Sequence, residues 1–189
     1  MSLLTTFKFH QGSNGYCAAL AAYWIHLMES GEASQVRAGK IRDYVCGKDV
    51  LERTKRYTNA CLPRLNTPLG AVRTAFTPLA PKGMQPCNPR KRDHFGKAGI
   101  VELVGYIDKN SGHGVLFTFV YKCLFGPQAH TVAFWKDGRT AYMFDADYGE
   151  FRGEPTGDMI RKAFAQNYSF TDPANFTDCY FAHMRSSHS

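Results

Sequence analysis

Residues 11–27 read QGSNGYCAALAAYWIHL. A polar turn rich in Gly, Ser and Asn runs straight into an apolar segment whose first residue is Cys17. The run stays apolar on nearly every side until His26, Glu29 and Ser30, and Gly31 can end it. A helix over 17–29 with no polar face must be central and buried. A cysteine at its start is either plain core or a thiol resting on the positive end of the helix dipole, where a thiolate is favoured.

The chain of 189 residues suits one domain, 1–189, with a real core. Hydrophobic residues make up 44% and charged residues 21%, a balance that folds. No apolar run reaches the roughly 20 residues of a membrane span. The opening MSLLTTFKFHQ has neither the basic segment nor the cleavage site of a Sec signal peptide. The six cysteines show no CxxC spacing, which argues against a zinc site and for a reduced working environment. We expect no metal and no cofactor. The net charge of +7 is concentrated in part at Arg90, Lys91 and Arg92. Such a run is ordinarily a solvated loop; as a docking site it would take an acidic protein or a membrane surface. No nucleic-acid motif accompanies it, so no nucleic-acid partner is expected.

Outward from the first helix, 34–61 reads as one or two amphipathic helices and 69–77 as a short one, followed by a Pro-rich loop over 78–97. Val, Phe, Tyr and Ile then dominate 100–107, 114–121, 130–136, 139–145 and 178–184, which read as strands, with a helix at 157–167. Helices first and strands later is the pattern of an α+β domain, its buried helix packed on a C-terminal antiparallel sheet.

The segment HTVAFWKDGRTAYMFD, residues 130–145, joins the two halves of the argument. Asp137-Gly138 between apolar runs signals a two-residue hairpin turn. A turn centred there sets Lys136 against Arg139 and Trp135 against Thr140, and His130 falls directly opposite Asp145. Opposed Cβ atoms lie roughly 4.5–5.5 Å apart, close enough for a carboxylate to orient an imidazole. Val132, Phe134, Ala141 and Met143 share that face by alternation, which makes it apolar enough to pack on the helix of Cys17. A bulge would change the match, and Asp147 is then the alternative acid.

A thiol that attacks an amide needs a thiolate, an oriented base and donors for the oxyanion. Cys17, His130 and Asp145 fit the first two needs. Gln11, or Asn14 on the same turn, fits the third together with the backbone N–H of Cys17. His10, His26, His94, His113 and His183 are the rival bases.

These blocks resemble the YopT/AvrPphB-type papain-like cysteine protease effectors of bacteria. Gln11, Gly12, Gly15 and Cys17 match a Q-G-x-x-G-x-C segment, and Ala19, Leu20 and Trp24 continue the helix pattern. His130-Thr-Val-Ala133 matches an H-x-V/I-A strand. Phe144, Asp145, Gly149 and Phe151 match an F-D-P-N-x-G-x-F element in which Pro-Asn is replaced by Ala146-Asp147. The resemblance implies a papain-like fold with Cys17 as nucleophile, His130 as base and acid, Asp145 as orienter and Gln11 as oxyanion donor. It further implies an endopeptidase that cleaves a host protein, delivered by a specialised secretion system into the host cytosol. A glutamine deamidase with the same triad and an inactive binding domain are the alternatives.

Overall fold

The computed structural model describes residues 3–11, 15–61, 76–80, 83–123, 126–168 and 176–186. Among them are five helices: α1 (Cys17–Glu29), α2 (Ser34–Val45), α3 (Lys48–Cys61), α4 (Gly96–Lys109) and α5 (Thr156–Asn167). Seven strands accompany them: β1 (Leu4–Phe7), β2 (Met84–His94), β3 (Gly114–Cys123), β4 (Gly126–Asp137), β5 (Thr140–Asp145), β6 (Gly149–Gly153) and β7 (Thr177–Ser186). The strands form one sheet in the order β1-β6-β5-β4-β3-β7-β2, every neighbouring pair antiparallel. This is the α+β class read from the sequence.

Both faces of the sheet are covered. Leu116 and Ala133 pack with Leu20, Trp24 and Ile25 of α1, Ile41 of α2 and Val50 of α3. Their neighbours Val115, Phe117, Val132 and Phe134 point the other way, onto Leu103 and Ile107 of α4 and Ile160 and Phe164 of α5. Residues alternating along a strand face opposite sides, so the central stretches Val115–Phe117 and Val132–Phe134 are apolar on both faces to serve two cores. The alanines of α1 let it lie close on the sheet, where the Trp24 and Phe144 rings stack at 5.8 Å.

Several sequence expectations are corrected here. Residues 100–107 belong to helix α4, not a strand. Their β-branched composition suggests a strand, but Ile100, Leu103, Val104 and Ile107 recur at helical spacing, and that period decides. The loop expected over 78–97 is largely β2, an edge strand. An edge tolerates Pro86 and Pro89, and the ladder breaks between Cys87 and Arg90, where Asn88 takes φ +46°. The short strands β1 and β6 carry no period long enough to announce them. The helix expected at 69–77 falls mostly outside the described residues; Thr77–Leu79 forms a 3₁₀ turn. Residues 34–61 resolve into two helices, α2 and α3.

The β4–β5 hairpin turns one residue later than expected. Asp137 pairs with Thr140, and Gly138 and Arg139 make the turn, with positive φ (+56°) at Gly138 alone. That suits a turn needing glycine only at its first central position. Val132, not His130, therefore stands opposite Asp145. The register slides by two residues, a whole side-chain period, so His130 and Asp145 keep a common face as diagonal neighbours. That face packs on α4 and α5; α1 lies on the opposite face, contrary to the sequence reading.

Candidate active site

β5 leaves the sheet at Asp145, where the chain reverses: the Tyr148 N–H donates to the Asp145 carbonyl (3.1 Å), and Gly149 begins β6 opposite Asp145. Gly149 has φ +109°, and a Cβ there would sit 2.1 Å from the Phe7 carbonyl oxygen, so only glycine allows β1 to close on this reversal. β4 continues past its last β5 partner. His130 lies on that extension, two residues beyond Val132, with the edge of β4 open beside it.

The diagonal offset suits the reach of a histidine. His130 Nε2 lies 3.0 Å from Asp145 Oδ1, with His130 only 5% exposed and Asp145 fully buried. The Asp147 backbone N–H also donates to Asp145 Oδ1 (2.9 Å), and the Tyr168 hydroxyl donates to Oδ2. With Nε2 engaged by Asp145, Nδ1 is the ring nitrogen left for the half-buried Cys17 thiol, which lies near enough to act on the imidazole electrostatically. Burial opposes charge on this ring. The Asp145 carboxylate and the Cys17 sulfur outweigh it by charge and hydrogen bond, and hold the pKa well above 6.5. The ring is further fixed by an edge contact with Phe119 at 5.8 Å.

Cys17 is the first residue of α1, after Gly15 (φ +68°) and Tyr16. The N-cap residue Tyr16 makes no side-chain cap to the first-turn N–H groups. Gln11 is tied to the β5–β6 reversal: its backbone N–H donates to the Ala146 carbonyl (2.8 Å) and its Nε2 to Asp147 Oδ1 (3.1 Å). Asn14, the other oxyanion candidate, lies outside the described residues.

The two candidate acids thus divide the surroundings of the imidazole. Asp145 holds Nε2 from within. Asp147 is partly exposed, with Oδ2 3.8 Å from Nδ1, and holds Gln11 instead. The rival histidines fall elsewhere. His10 is exposed on the rim, 3.3 Å from the Asp147 carbonyl oxygen. His26 lies in the last turn of α1 and His94 at the exposed end of β2. His113 and His183 stack on each other at 5.9 Å near the start of β3, where burial lowers the His183 pKa to about 4.

Among the described residues, the group that could hold a metal ion is His130, Asp145 and Asp147. An ion there would compete for Asp145 Oδ1 and His130 Nε2, which already bond to one another. A groove of about 510 Å³ opens beside Asp147, floored by Phe9 and Phe151 and flanked by His10 and Tyr148. The basic run lies on edge strand β2: Lys91 pairs with Asp93 (3.2 Å), Arg92 pairs with Glu102, and Arg90 is exposed.

Sequence reasoning missed Tyr168. Its signal was the run Ile160, Phe164, Tyr168 at four-residue spacing, which carries the buried stripe of α5 one step past the helix end. It also missed Glu150, fully buried between α1, α2 and β1 and paired with Arg37.

Comparison with known proteins finds both a matching family and similar solved structures. The family model described as Yersinia/Haemophilus virulence surface antigen, a peptidase family, matches residues 2–168. The crystal structure of the Pseudomonas avirulence protein AvrPphB is similar, with a TM-score of 0.66, 17% identity, and coverage of 96% of this chain and 97% of that one. The ubiquitin-specific protease of a murine cytomegalovirus tegument protein, solved with a ubiquitin-based suicide substrate, has a TM-score of 0.52 at 12% identity, over 100% of this chain and 88% of that one. At those identities the two structures establish the papain-like fold. No curated protein sequence matches.

Proposed function

This chain belongs to the Yersinia/Haemophilus virulence surface antigen family of cysteine proteases, and on that premise we propose that Cys17, His130 and Asp145 are its catalytic triad and that it acts as one domain, an endopeptidase on a host protein. The observation that carries the reading is the buried His130–Asp145 hydrogen bond set beside Cys17 at the start of α1.

The chemistry follows from the parts. His130, held protonated, pairs with a Cys17 thiolate that the α1 terminus also favours. The sulfur attacks the scissile carbonyl carbon, and the oxyanion takes hydrogen bonds from the Cys17 backbone N–H and from Gln11. The Gln11 amide, ahead of α1 and held by Asp147, supplies the side-chain donor. The tetrahedral intermediate collapses as the C–N bond breaks, and His130 gives its proton to the departing amine. Neutral His130 then takes a proton from water, whose oxygen attacks the thioester. The C–S bond breaks, leaving the restored ion pair and a carboxylic acid that gives up its remaining proton to solvent. Asp145 keeps the ring oriented throughout and stabilises it whenever it carries the proton.

The family's virulence description supports an effector exported by a specialised secretion system and acting in the host cytosol. Two of the three basic residues on β2 already pair within the chain, so an acidic partner or membrane surface would be met mainly by Arg90.

Host-cell lysate incubated with wild type and with Cys17→Ala, then analysed by terminal-peptide mass spectrometry, tests the proposal. New protein termini that depend on Cys17 support an endopeptidase. A Cys17-dependent gain of about one dalton at glutamine, the amide-to-acid exchange, would replace that reading with deamidation. Effects on host cells that persist in Cys17→Ala would replace it with a binding role.

A further inference from the structure

We propose that Tyr168 is a positioning residue for the triad, acting through the Asp145 carboxylate; this rests on the catalytic reading above. The phenol stands just past the end of α5, with its backbone N–H on the Phe164 carbonyl (2.8 Å). Its ring is clamped edge-on by Phe119 at 5.4 Å, Phe164 at 5.9 Å and Phe176 at 6.1 Å, and is 4% exposed. The clamp aims the hydroxyl at Asp145 Oδ2. Asp145 Oδ1 is shared by His130 and the Asp147 N–H, so Tyr168 is the described side chain that fixes the other oxygen.

Three consequences follow. The carboxylate cannot rotate about its last bond without losing a donor in a buried site, so Oδ1 stays on Nε2. The phenol keeps its proton, because burial and the adjacent Asp145 charge push its pKa far above 10, so it donates at every working pH. The donated bond favours the ionised carboxylate, so the proton of the pair resides on His130. The titratable groups facing this unit are Cys17 on α1, Tyr121 on β3, His130 on β4, and Asp147 and Tyr148 on the reversal. None of them donates a side-chain hydrogen bond to Asp145 Oδ2.

Iodoacetamide alkylation of Cys17, followed against pH by mass spectrometry, tests this without a known substrate. Tyr168→Phe keeps the ring and deletes the donor. The carboxylate then loses its fixed orientation and its hold on the imidazolium weakens, so the acid limb of the Cys17 profile moves up by about one pH unit. Site-specific 3-fluorotyrosine at 168, a stronger donor of nearly equal size, moves the limb down. In an Asp145→Asn background Tyr168→Phe has no further effect on the profile. Superimposable profiles for all three side chains, or a full additional loss in the Asp145→Asn background, would overturn the inference while leaving the triad standing. Wild-type Cys17 reacting no faster than the exposed Cys46 would overturn the triad reading and the inference with it.

Discussion

Two buried acid–base pairs lie on this sheet, and they end differently. Around Glu150 every bond closes inside the fold. Oε1 accepts from Thr6 (2.8 Å), Ser34 and Arg37 Nη2 (2.6 Å), and Oε2 from Trp24 (2.6 Å) and Arg37 Nε (2.8 Å). The network ties β1, α1, α2 and β6 together. Around Asp145 the bonds run in one direction, from Tyr168 through the carboxylate to the imidazole, which lies beside the thiol of half-buried Cys17. A closed network can only hold the fold. On the proposed reading the open one delivers its charge to the group that meets substrate. Burial alone does not separate the two, since both carboxylates are fully buried; what stands at the far end does.

The comparison is most sharply broken by variants that exchange the two outcomes. Cys17→Ala should abolish proteolysis, by about 10⁴-fold or more, with an unchanged urea midpoint; a midpoint that falls steeply would make Cys17 a core residue. Asp145→Asn should lower Cys17-dependent turnover by about 10²–10⁴-fold while the protein stays folded. Unchanged turnover would move the acid's role to Asp147. Glu150→Ala should do the reverse. It leaves the buried Arg37 uncompensated and should cost about 3–5 kcal/mol of stability, read from urea unfolding, with the activity of the folded fraction retained.

Acidity sharpens the same contrast. The His130 pKa is raised in the fold, so its pairing adds stability below the free histidine value of 6.5 and loses it as pH rises through the folded value. Burial raises the Glu150 pKa, but hydrogen bonds from Arg37, Ser34 and Trp24 outweigh it and hold the value below 4.5. That pairing adds stability above 4.5 and loses it as pH falls through the folded value. Unfolding free energies of wild type against His130→Gln should therefore converge on the alkaline side, and those against Glu150→Gln on the acid side. Parallel pH curves in either series would break the assignment. The smallest effect belongs to Arg90→Ala, which should leave stability within about 0.5 kcal/mol and reduce only the salt sensitivity of partner binding.

The parts of the site that were legible in the sequence are those fixed by local rules. A glycine-rich turn before an all-apolar helix announces α1 and Cys17. Alternation along the hairpin puts His130 and Asp145 on one face, and that survived an error of register because the slip was a whole period. What lies across each face was not legible. Alternation gives two faces without naming their neighbours, so α1 was set on the side that α4 and α5 occupy. Helix α4 hid behind β-branched residues, and β2 behind prolines that an edge tolerates. Glu150 and Tyr168 meet their partners across more than a hundred and more than twenty residues of chain respectively, distances at which no local pattern speaks.

The central claim is that the open network makes Cys17 a thiolate. Competitive alkylation at neutral pH, comparing Cys17 with the exposed Cys46 in wild type and in His130→Gln, measures this directly. The account predicts that Cys17 reacts first despite its lower exposure, and that the advantage disappears in His130→Gln. Equal rates in wild type, or an advantage that survives the loss of His130, would contradict it.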